Sequence, residues 1–202
     1  MKNIAIFASG TGSNATKLIK HAQTLSHINP VCLITDNADA GIIEIANKLS
    51  FPIFIIEKGT KTKSVHEAEI LKTLRQNHIE WIFLAGYMRI LSANFLNEFY
   101  DQELKQCKVI NIHPSMLPKH RGLNAYEHAF DSNEKESGIS IHFVDAGMDT
   151  GKIIKQASFS KEAKDTIITF KARGLALEHI LYPQVLSLLN KAIATNNYKD
   201  FA

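Results

Sequence analysis

Val109-Ile110-Asn111-Ile112-His113-Pro114 places two polar side chains at the end of a short apolar run. Successive side chains of an extended chain point to opposite faces, so Asn111 and His113 share one face of a strand. Proline cannot continue a central strand, so we expect this strand to end at His113. The segment therefore predicts a strand whose carboxyl end carries an amide and an imidazole side by side.

In open α/β sheets, ligands bind outside the carboxyl ends of the strands. An amide N–H and an imidazole at that edge suit a developing oxyanion and a proton in transit. The alternative is a polar strand end whose two side chains only cap a turn. The spacing by itself leaves both interpretations open.

Short apolar runs alternate with helical patterns along the first half of the chain. Strands are predicted at residues 4–8, 31–35, 52–56 and 81–85, and helices at residues 17–25, 42–49, 64–77 and after Ser92. Ser64 with Glu67 predicts a capping box at the third of these helices. Alternating β and α units predict an α/β fold: a doubly wound, mostly parallel sheet with helices on both faces.

The second half of the chain changes this pattern. A short helix is predicted at residues 124–130 and two neighbouring strands at 138–144 and 152–159, which makes the late part of the sheet antiparallel. A long helix is predicted from about residue 165 to 194, with a kink or break at Pro183. No linker or repeat interrupts the chain, so residues 1–202 are expected to form one domain.

Ser9-Gly10-Thr11-Gly12-Ser13-Asn14 follows the first predicted strand and precedes a helix. Glycines let the backbone approach a ligand, and the free N–H groups at a helix start attract anions. The turn lacks the third glycine of the dinucleotide motif and the Gly-Lys-Ser/Thr of a P-loop, so it predicts a site for one phosphate. A plain tight turn is the alternative.

Composition narrows the class of protein. The chain has 202 residues, 45% of them hydrophobic, and a net charge of +3. The charge is too small to indicate nucleic acid or a membrane as the main partner. The two cysteines, Cys32 and Cys107, are expected to be free thiols in a reducing cytoplasm. With no signal peptide visible, the sequence predicts a cytoplasmic protein.

Three segments resemble one known family. Asn111-Ile112-His113-Pro114-Ser115, with Asp149 before a Thr-Gly pair, resembles the folate-dependent formyltransferases. Leu84-Ala-Gly-Tyr-Met-Arg-Ile-Leu91 and Glu178-His-Ile-Leu-Tyr-Pro183 match further segments of that family, and the resemblance covers nearly the whole chain. It implies the Rossmann-like formyltransferase fold. It also implies transfer of the formyl group of 10-formyltetrahydrofolate to the amine of glycinamide ribonucleotide in purine synthesis.

The resemblance implies that Asn111, His113 and Asp149 are the catalytic set. Attack of an amine on the formyl carbon places negative charge on the formyl oxygen, which an amide N–H and an imidazolium would stabilise. A nearby carboxylate would raise the histidine pKa and accept the proton that leaves the amine. Without the resemblance, the residues around Asp149 favour an ordinary turn aspartate.

Two binding regions follow from the same resemblance. The nucleotide phosphate is expected at Thr11, Gly12, Ser13 and Asn14, and the ribose hydroxyls at Glu178. The folate pocket is expected to be lined by Met88, Arg89, Ile90, Leu91, Val144, Asp145, Ala146, Gly147 and Met148. Backbone groups at a strand end suit a flat heterocycle with hydrogen-bonding edges.

The chain departs from the family in a few places. Lys119-His120-Arg121-Gly122-Leu123-Asn124 lacks the usual Gly-Leu-His, and its Arg121-Gly122 is similar to the methionyl-tRNA formyltransferases. Leu175 stands where a polar residue is common. Four histidines, at 113, 120, 128 and 142, show no helical pair or Cys-x-x-Cys spacing, so no metal is expected.

Other functions remain as alternatives. The same scaffold could formylate methionyl-tRNA or an amino sugar, or hydrolyse the formyl folate. A tRNA enzyme would be expected to carry a second basic domain, and the hydrolase an additional N-terminal one. A non-catalytic nucleotide-binding protein is the alternative of another class. A monomer or weak homodimer is expected, with glycinamide ribonucleotide and a reduced folate as its partners.

Overall fold

A seven-stranded sheet forms the centre of the computed structural model, which describes residues 1–199 and 201. Its strands are β1 (Lys2–Phe7), β2 (Ile28–Thr35), β3 (Ile53–Ile55), β4 (Trp81–Leu84), β7 (Val109–His113), β8 (Glu136–Phe143) and β9 (Ile153–Ser160). A separate two-stranded ribbon, β5 (Tyr100–Asp101) and β6 (Gln106–Cys107), was not predicted. The helices are α1 (Ser13–Ala22), α2 (Ile42–Lys48), α3 (Lys63–Gln76), α4 (Ala93–Asn97), α5 (Ala125–Asp131) and α6 (Ile167–Thr195).

The order of the strands in the sheet predicts where a ligand-binding crevice forms. The order is β3-β2-β1-β4-β7-β8-β9, with parallel pairs as far as β7 and antiparallel pairs on both sides of β8. After β1, the chain adds β2 and β3 on one side of that strand. It then crosses to the other side of β1, where it forms β4. The strand order therefore reverses between β1 and β4, and in such sheets a ligand crevice forms outside the carboxyl ends at that point.

Both faces of the sheet are buried, which explains why its strands are almost continuously apolar. Ile4 and Ile6 of β1 pack in a core with α1, α2 and α6, while Ala5 and Phe7 pack on the opposite face with α3 and α4. The predicted doubly wound α/β fold with a late antiparallel part is therefore confirmed.

In β7, Ile110 and Ile112 pack in the core that contains α1 and α6. Asn111 and His113 stand opposite His142 and Ser140 of β8. The alternation predicted for this segment is confirmed.

Three local predictions were wrong. The α3 helix begins at Lys63 and is capped by Thr62, whose side chain accepts from the Val65 N–H, instead of a capping box at Ser64. The Glu67 carboxylate instead accepts from the backbone N–H and the hydroxyl of Ser92, so it holds the start of α4.

The α1 helix begins at Ser13, four residues earlier than expected. Pro183 does not break the helix, as one of the two predicted outcomes had it: it lies inside the 29-residue α6, whose neighbouring residues are buried against the sheet.

Cys32 is buried and Cys107 half-buried, and both are free thiols, as predicted. Burial raises the pKa of Cys32 to about 12. Within the described residues, the model contains no helix with the length and apolar character needed to span a bilayer.

Tyr182 connects α6 to the middle of the sheet. Its ring is fully buried, and its hydroxyl lies 2.9 Å from the Leu84 carbonyl oxygen and 3.1 Å from that of Ile110. The two carbonyls belong to β4 and β7, the strands whose carboxyl ends border the crevice. The hydroxyl therefore fixes the long helix to both strands.

We expect Tyr182→Phe to lower the free energy of unfolding by about 1–3 kcal/mol, because a buried donor is lost and its acceptors remain. Urea titration followed by circular dichroism measures this difference. Tyr100→Phe is the matched control, since Tyr100 is 43% exposed. Equal stability of both variants would show that the buried hydroxyl does not hold the helix.

Candidate active site

A cavity of about 480 Å³ opens at the carboxyl ends of β4 and β7. Most of the predicted site residues line it: Asn14, Met88, Arg89, Ile90, Leu91, Asn111, His113, Val144, Asp145, Gly147, Met148, Asp149 and Glu178. Thr11, Gly12, Ser13 and Ala146 are not among the lining residues. The fold thus brings together residues separated by up to 164 positions in the sequence.

Asp149 joins the predicted catalytic residues into one cluster. Its Oδ2 lies 3.4 Å from His113 Nδ1, and its Oδ1 lies 3.5 Å from His142 Nε2. Asn111 Nδ2 lies 3.3 Å from the same His142 nitrogen. His142 belongs to this cluster although no sequence motif indicates it. Its position on β8, directly opposite Asn111 of β7, is the feature that brings it there.

The His113 imidazole is 5% exposed, and both of its nitrogens face protein acceptors. Nε2 lies 2.8 Å from the backbone oxygen of His120, which can only accept, so Nε2 carries a proton. Nδ1 faces the Asp149 carboxylate. A second proton, at Nδ1, would let the ring donate to Asp149 Oδ2. In the neutral ring, Nδ1 and Asp149 Oδ2 are two acceptors that face each other with no hydrogen between them.

The pKa of His113 is lower than its ordinary value, contrary to the expectation from the sequence. Burial is the largest cause, and it outweighs the opposing effects of the His120 carbonyl and the Asp149 carboxylate. The nearby His142 adds to the decrease. The carboxylate does favour the imidazolium, as predicted, but the low polarity of the site dominates.

Asp149 retains its charge in this half-buried position. Burial favours its protonated form, but contacts from His142 and the Gly122 N–H and the charge at His113 outweigh burial, so the pKa of Asp149 is lowered. The Gly122 N–H donates to Oδ2 over 2.8 Å. Asp149 also adopts the left-handed conformation, with φ of 52°, which aspartate and asparagine adopt more readily than other side chains.

The segment at residues 119–124, which departs from the family pattern, holds the cluster through its backbone. The His120 carbonyl binds His113, and the Gly122 N–H binds Asp149. Because backbone atoms make both contacts, these two contacts do not depend on the unusual side chains of the segment. A side chain at Gly122 would meet Met148 Sδ at 2.8 Å, in addition to the strain of a positive φ.

Buried hydroxyls anchor the chain that leads into this segment. Ser140 of β8 donates to the Ser115 carbonyl over 2.6 Å and accepts from the Leu117 N–H over 3.0 Å. Gln156 of β9 binds both Ser140 and the Leu117 carbonyl. The antiparallel strands therefore fix the loop that carries the His120 carbonyl.

The glycine-rich turn ends in the first turn of α1. Gly12 is the residue before the helix, with φ of 75°, and the first helical N–H groups have no partner within the helix. These N–H groups and the helix dipole favour an anion. A Cβ on Gly12 would come within 2.3 Å of the Ile42 side chain, so the turn also requires glycine for packing.

Glu178 is a buried residue of α6, which excludes the alternative of a solvated helix surface. Its side chain accepts from Asn14 and, over 2.6 Å, from the Tyr126 hydroxyl. Burial raises the pKa of Glu178, although both hydrogen bonds oppose the increase. The carboxylate thus lies between the start of α1 and the cavity.

The predicted folate region forms the apolar rim of the cavity. The rim side chains Met88, Ile90, Leu123 and Met148 are 68%, 63%, 73% and 53% exposed. Arg89 points away from them: its Nε donates to Asp36 Oδ2 over 2.5 Å, and Asp36 Oδ1 accepts from Ser9. The Arg89 guanidinium therefore ties the loop after β4 to Asp36, and Arg89 is also one of the residues that line the cavity.

None of the described residues forms a group of three or more His, Cys, Asp or Glu side chains arranged for a metal ion.

Comparison with known proteins assigns the chain to a family. The model of the formyl transferase family matches residues 2–186. The chain therefore belongs to the formyl transferase family.

One particular member of that family recurs among the relatives. The chain is 38% identical to the phosphoribosylglycinamide formyltransferase of Bacillus subtilis (strain 168) over 94% of this chain and 95% of that protein. It is 35% identical to one domain-length part of the trifunctional purine biosynthetic protein adenosine-3 of Drosophila melanogaster, over 93% of this chain and 14% of that protein.

Solved structures of the same enzyme share the fold. The phosphoribosylglycinamide formyltransferase of Bacillus halodurans aligns over the whole of both chains with a TM-score of 0.85 and 35% identity. That of Streptococcus pneumoniae TIGR4 aligns over 94% of this chain and 99% of the other, with a TM-score of 0.84 and 35% identity.

We expect Asp149→Asn to lower the pKa of His113 further, because the neutral amide no longer favours the imidazolium. An NMR titration of the His113 ring in the two proteins measures the shift. Asp145→Asn, in the same loop, is the control, because neither Asp145 oxygen contacts a histidine: Oδ1 accepts from Gly147 and Thr150. A His113 pKa that is the same in all three proteins would show that the two side chains are not coupled.

Proposed function

We propose that the chain transfers the formyl group of 10-formyltetrahydrofolate to the amine of glycinamide ribonucleotide. The observation that carries the proposal is the position of the Asn111, His113 and Asp149 cluster in one cavity with Glu178, next to the start of α1. An acceptor that carries an amine, a ribose and a phosphate matches these groups in the same order: the cluster, Glu178 and the start of α1. The similarity to the phosphoribosylglycinamide formyltransferase of Bacillus subtilis supports the proposal.

The nucleotide is proposed to bind at the α1 end of the cavity. Thr11, Gly12, Ser13 and Asn14 would surround the phosphate with backbone N–H groups, and Glu178 would accept hydrogen bonds from the ribose. Thr11 is exposed and Ser13 half-buried, so a phosphate can reach the helix start from solvent. This arrangement would leave the glycyl amine directed toward the catalytic cluster.

The folate is proposed to bind beneath the apolar rim. Met88, Ile90, Leu91, Val144 and Met148 supply apolar surface on both sides of a flat ring. The backbone of Arg89 and of residues 145–147 would provide hydrogen-bond partners for its edges. Rim side chains that are more than half exposed gain most from being covered by a ligand.

The chemistry follows from the acceptor and donor groups of the cluster. The amine nitrogen attacks the formyl carbon, the new C–N bond forms, and the carbonyl electrons move to the formyl oxygen. An amide carries two N–H hydrogens, so Asn111 has one left for this oxyanion beside the one that faces His142. The bond to folate N10 then breaks, and N10 takes up the proton that the amine released, which returns from Asp149 and His113.

The proton that leaves the amine is proposed to pass to Asp149 and then to lie between Asp149 Oδ2 and His113 Nδ1. A proton at this position gives Nδ1 and Oδ2, which are both acceptors, a hydrogen to share. It also converts the His113 ring into the imidazolium. Because both ring nitrogens then face the protein, His113 would stabilise the oxyanion through its positive charge. A lowered pKa suits this role, since neutral His113 can take the proton when it arrives.

The cellular location and the oligomeric state of the protein are also proposed. We propose a cytoplasmic protein without a resident metal, consistent with its two free thiols. It is proposed to act as a monomer or weak homodimer, which sedimentation at several concentrations would measure.

The direct test is an assay with glycinamide ribonucleotide and 10-formyltetrahydrofolate, followed by the absorbance of the deformylated product. Methionyl-tRNA, an amino sugar and water alone are the competing acceptors. Turnover with one of these and none with the ribonucleotide would refute the proposed substrate.

We expect Asn111→Ala and His113→Ala to reduce kcat by about 10²- to 10³-fold while the proteins stay folded, because each removes stabilisation of the oxyanion. Asn29→Ala, an exposed position on β2, is the control for the asparagine change. Near wild-type turnover in either cavity variant, with an intact circular dichroism spectrum, would refute the assigned role.

We expect Gly12→Ala to raise the KM for the ribonucleotide at least tenfold and to change the KM for folate little. The added Cβ would collide with Ile42 and strain the positive φ, which displaces the N–H groups proposed to bind phosphate. Gly10→Ala is the matched control, because a Cβ at Gly10 meets no atom within 4 Å. Similar losses for both substrates would argue against phosphate binding at this turn.

A further inference from the structure

Tyr126 is a cavity residue that the proposed mechanism does not use. It lies in the first turn of α5, and its hydroxyl donates to Glu178 Oε1 over 2.6 Å. The other carboxylate oxygen accepts from Asn14 in the first turn of α1. Each oxygen of Glu178 is therefore held by a donor from a different helix.

The ring of Tyr126 fits a slot on α6. Gly174 lies one helical turn before Glu178, and a Cβ there would come within 2.4 Å of Tyr126 Cε1 and 2.5 Å of its hydroxyl oxygen. Phe170, one turn earlier, packs edge-to-face against the ring, with centroids 6.3 Å apart. Phe170, Gly174 and Glu178 share one face of the helix and together receive the tyrosine.

The glycine in this slot has a structural explanation. Glycine is the least favourable residue of a helix interior after proline, yet Gly174 lies in the middle of the 29-residue α6. The tyrosine ring occupies the space of its missing side chain. The helix therefore gives up intrinsic stability at this position to let Tyr126 reach the carboxylate.

Asn14 supplies an independent sign of a ligand. While its Nδ2 donates to Glu178, its Oδ1 is buried and has no hydrogen-bond partner in the part of the chain that is described. A buried acceptor without a donor is costly. Glu178, with about four acceptor positions, also has two left beyond those used by Asn14 and Tyr126. Two neighbouring hydroxyls would satisfy these acceptors.

We propose that Tyr126, seated in the slot formed by Phe170 and Gly174, is a positioning residue that fixes the Glu178 carboxylate and Asn14 for the two ribose hydroxyls of the nucleotide. A glutamate side chain on its own would lose rotamer freedom when it binds a ligand. Tyr126 removes that freedom before binding. The inference rests on the proposed function and deepens it by assigning a residue for recognition of the ribose.

Tyr126→Phe keeps the ring in its slot and removes only the donor. We expect the KM for glycinamide ribonucleotide to rise about tenfold, with kcat and the KM for folate within twofold of wild type. In a Glu178→Gln background the same change should add little, because Tyr126 acts through the carboxylate. Tyr100→Phe, at an exposed tyrosine, should leave all constants unchanged.

A titration without substrate separates this inference from the proposed function. The Tyr126 hydrogen bond lowers the pKa of Glu178, so Tyr126→Phe should raise that pKa further. Carbon NMR of the labelled carboxyl measures it in the free protein. A wild-type protein that does not formylate the ribonucleotide refutes the proposed function, whereas an unchanged Glu178 pKa refutes the positioning by Tyr126.

Gly174→Ala tests the slot from the other side. The added methyl should displace the tyrosine and reproduce the nucleotide defect of Tyr126→Phe, with a lower Tm. In a Tyr126→Ala background the space is open, and Gly174→Ala should then raise Tm, because alanine favours the helix. Wild-type nucleotide binding in Gly174→Ala, or additive effects of Tyr126→Phe and Glu178→Gln, would overturn the inference.

Discussion

The contacts of Asp149 are the interaction on which the arrangement of the site depends. One carboxylate lies beside the imidazoles of two histidines, on two adjacent strands, and accepts the N–H of Gly122 from a third segment. The charge persists in a half-buried position because these groups oppose the cost of burial. Removing it would break the contacts that join the two histidines and the Gly122 N–H into one cluster.

The reversal of strand order beside β1 determines where this cluster can meet a ligand. It places the carboxyl end of β1, where α1 begins, beside the carboxyl ends of β4 and β7, where the cavity opens. The long α6 helix crosses behind it, tied to β4 and β7 by the Tyr182 hydroxyl. The same helix carries Glu178, so one packing contact fixes both the sheet edges and the proposed ribose site.

Backbone atoms perform several tasks that a sequence pattern assigns to side chains. The His120 carbonyl and the Gly122 N–H hold His113 and Asp149, although the side chains of residues 119–124 depart from the family pattern. The side chain of Arg89, expected in the folate pocket, pairs with Asp36. Glu67, expected in a capping box of its own helix, instead holds Ser92, the cap of α4. In each of these cases a contact between groups that lie close together in the folded chain takes the place of the contact that the local sequence predicts.

The sequence by itself determined the order of strands and helices, the alternation of Asn111 and His113 on one face, and the doubly wound class, because these depend on local periodicity. It also located most residues of the cavity through resemblance. Only the tertiary structure decided that His142 joins the cluster and that Tyr126 reaches Glu178 across 52 residues. It likewise decided that burial lowers the pKa of His113 despite its aspartate neighbour. Contacts between distant segments and the polarity of a buried site arise only when the sheet and its helices have packed, so no local pattern encodes them.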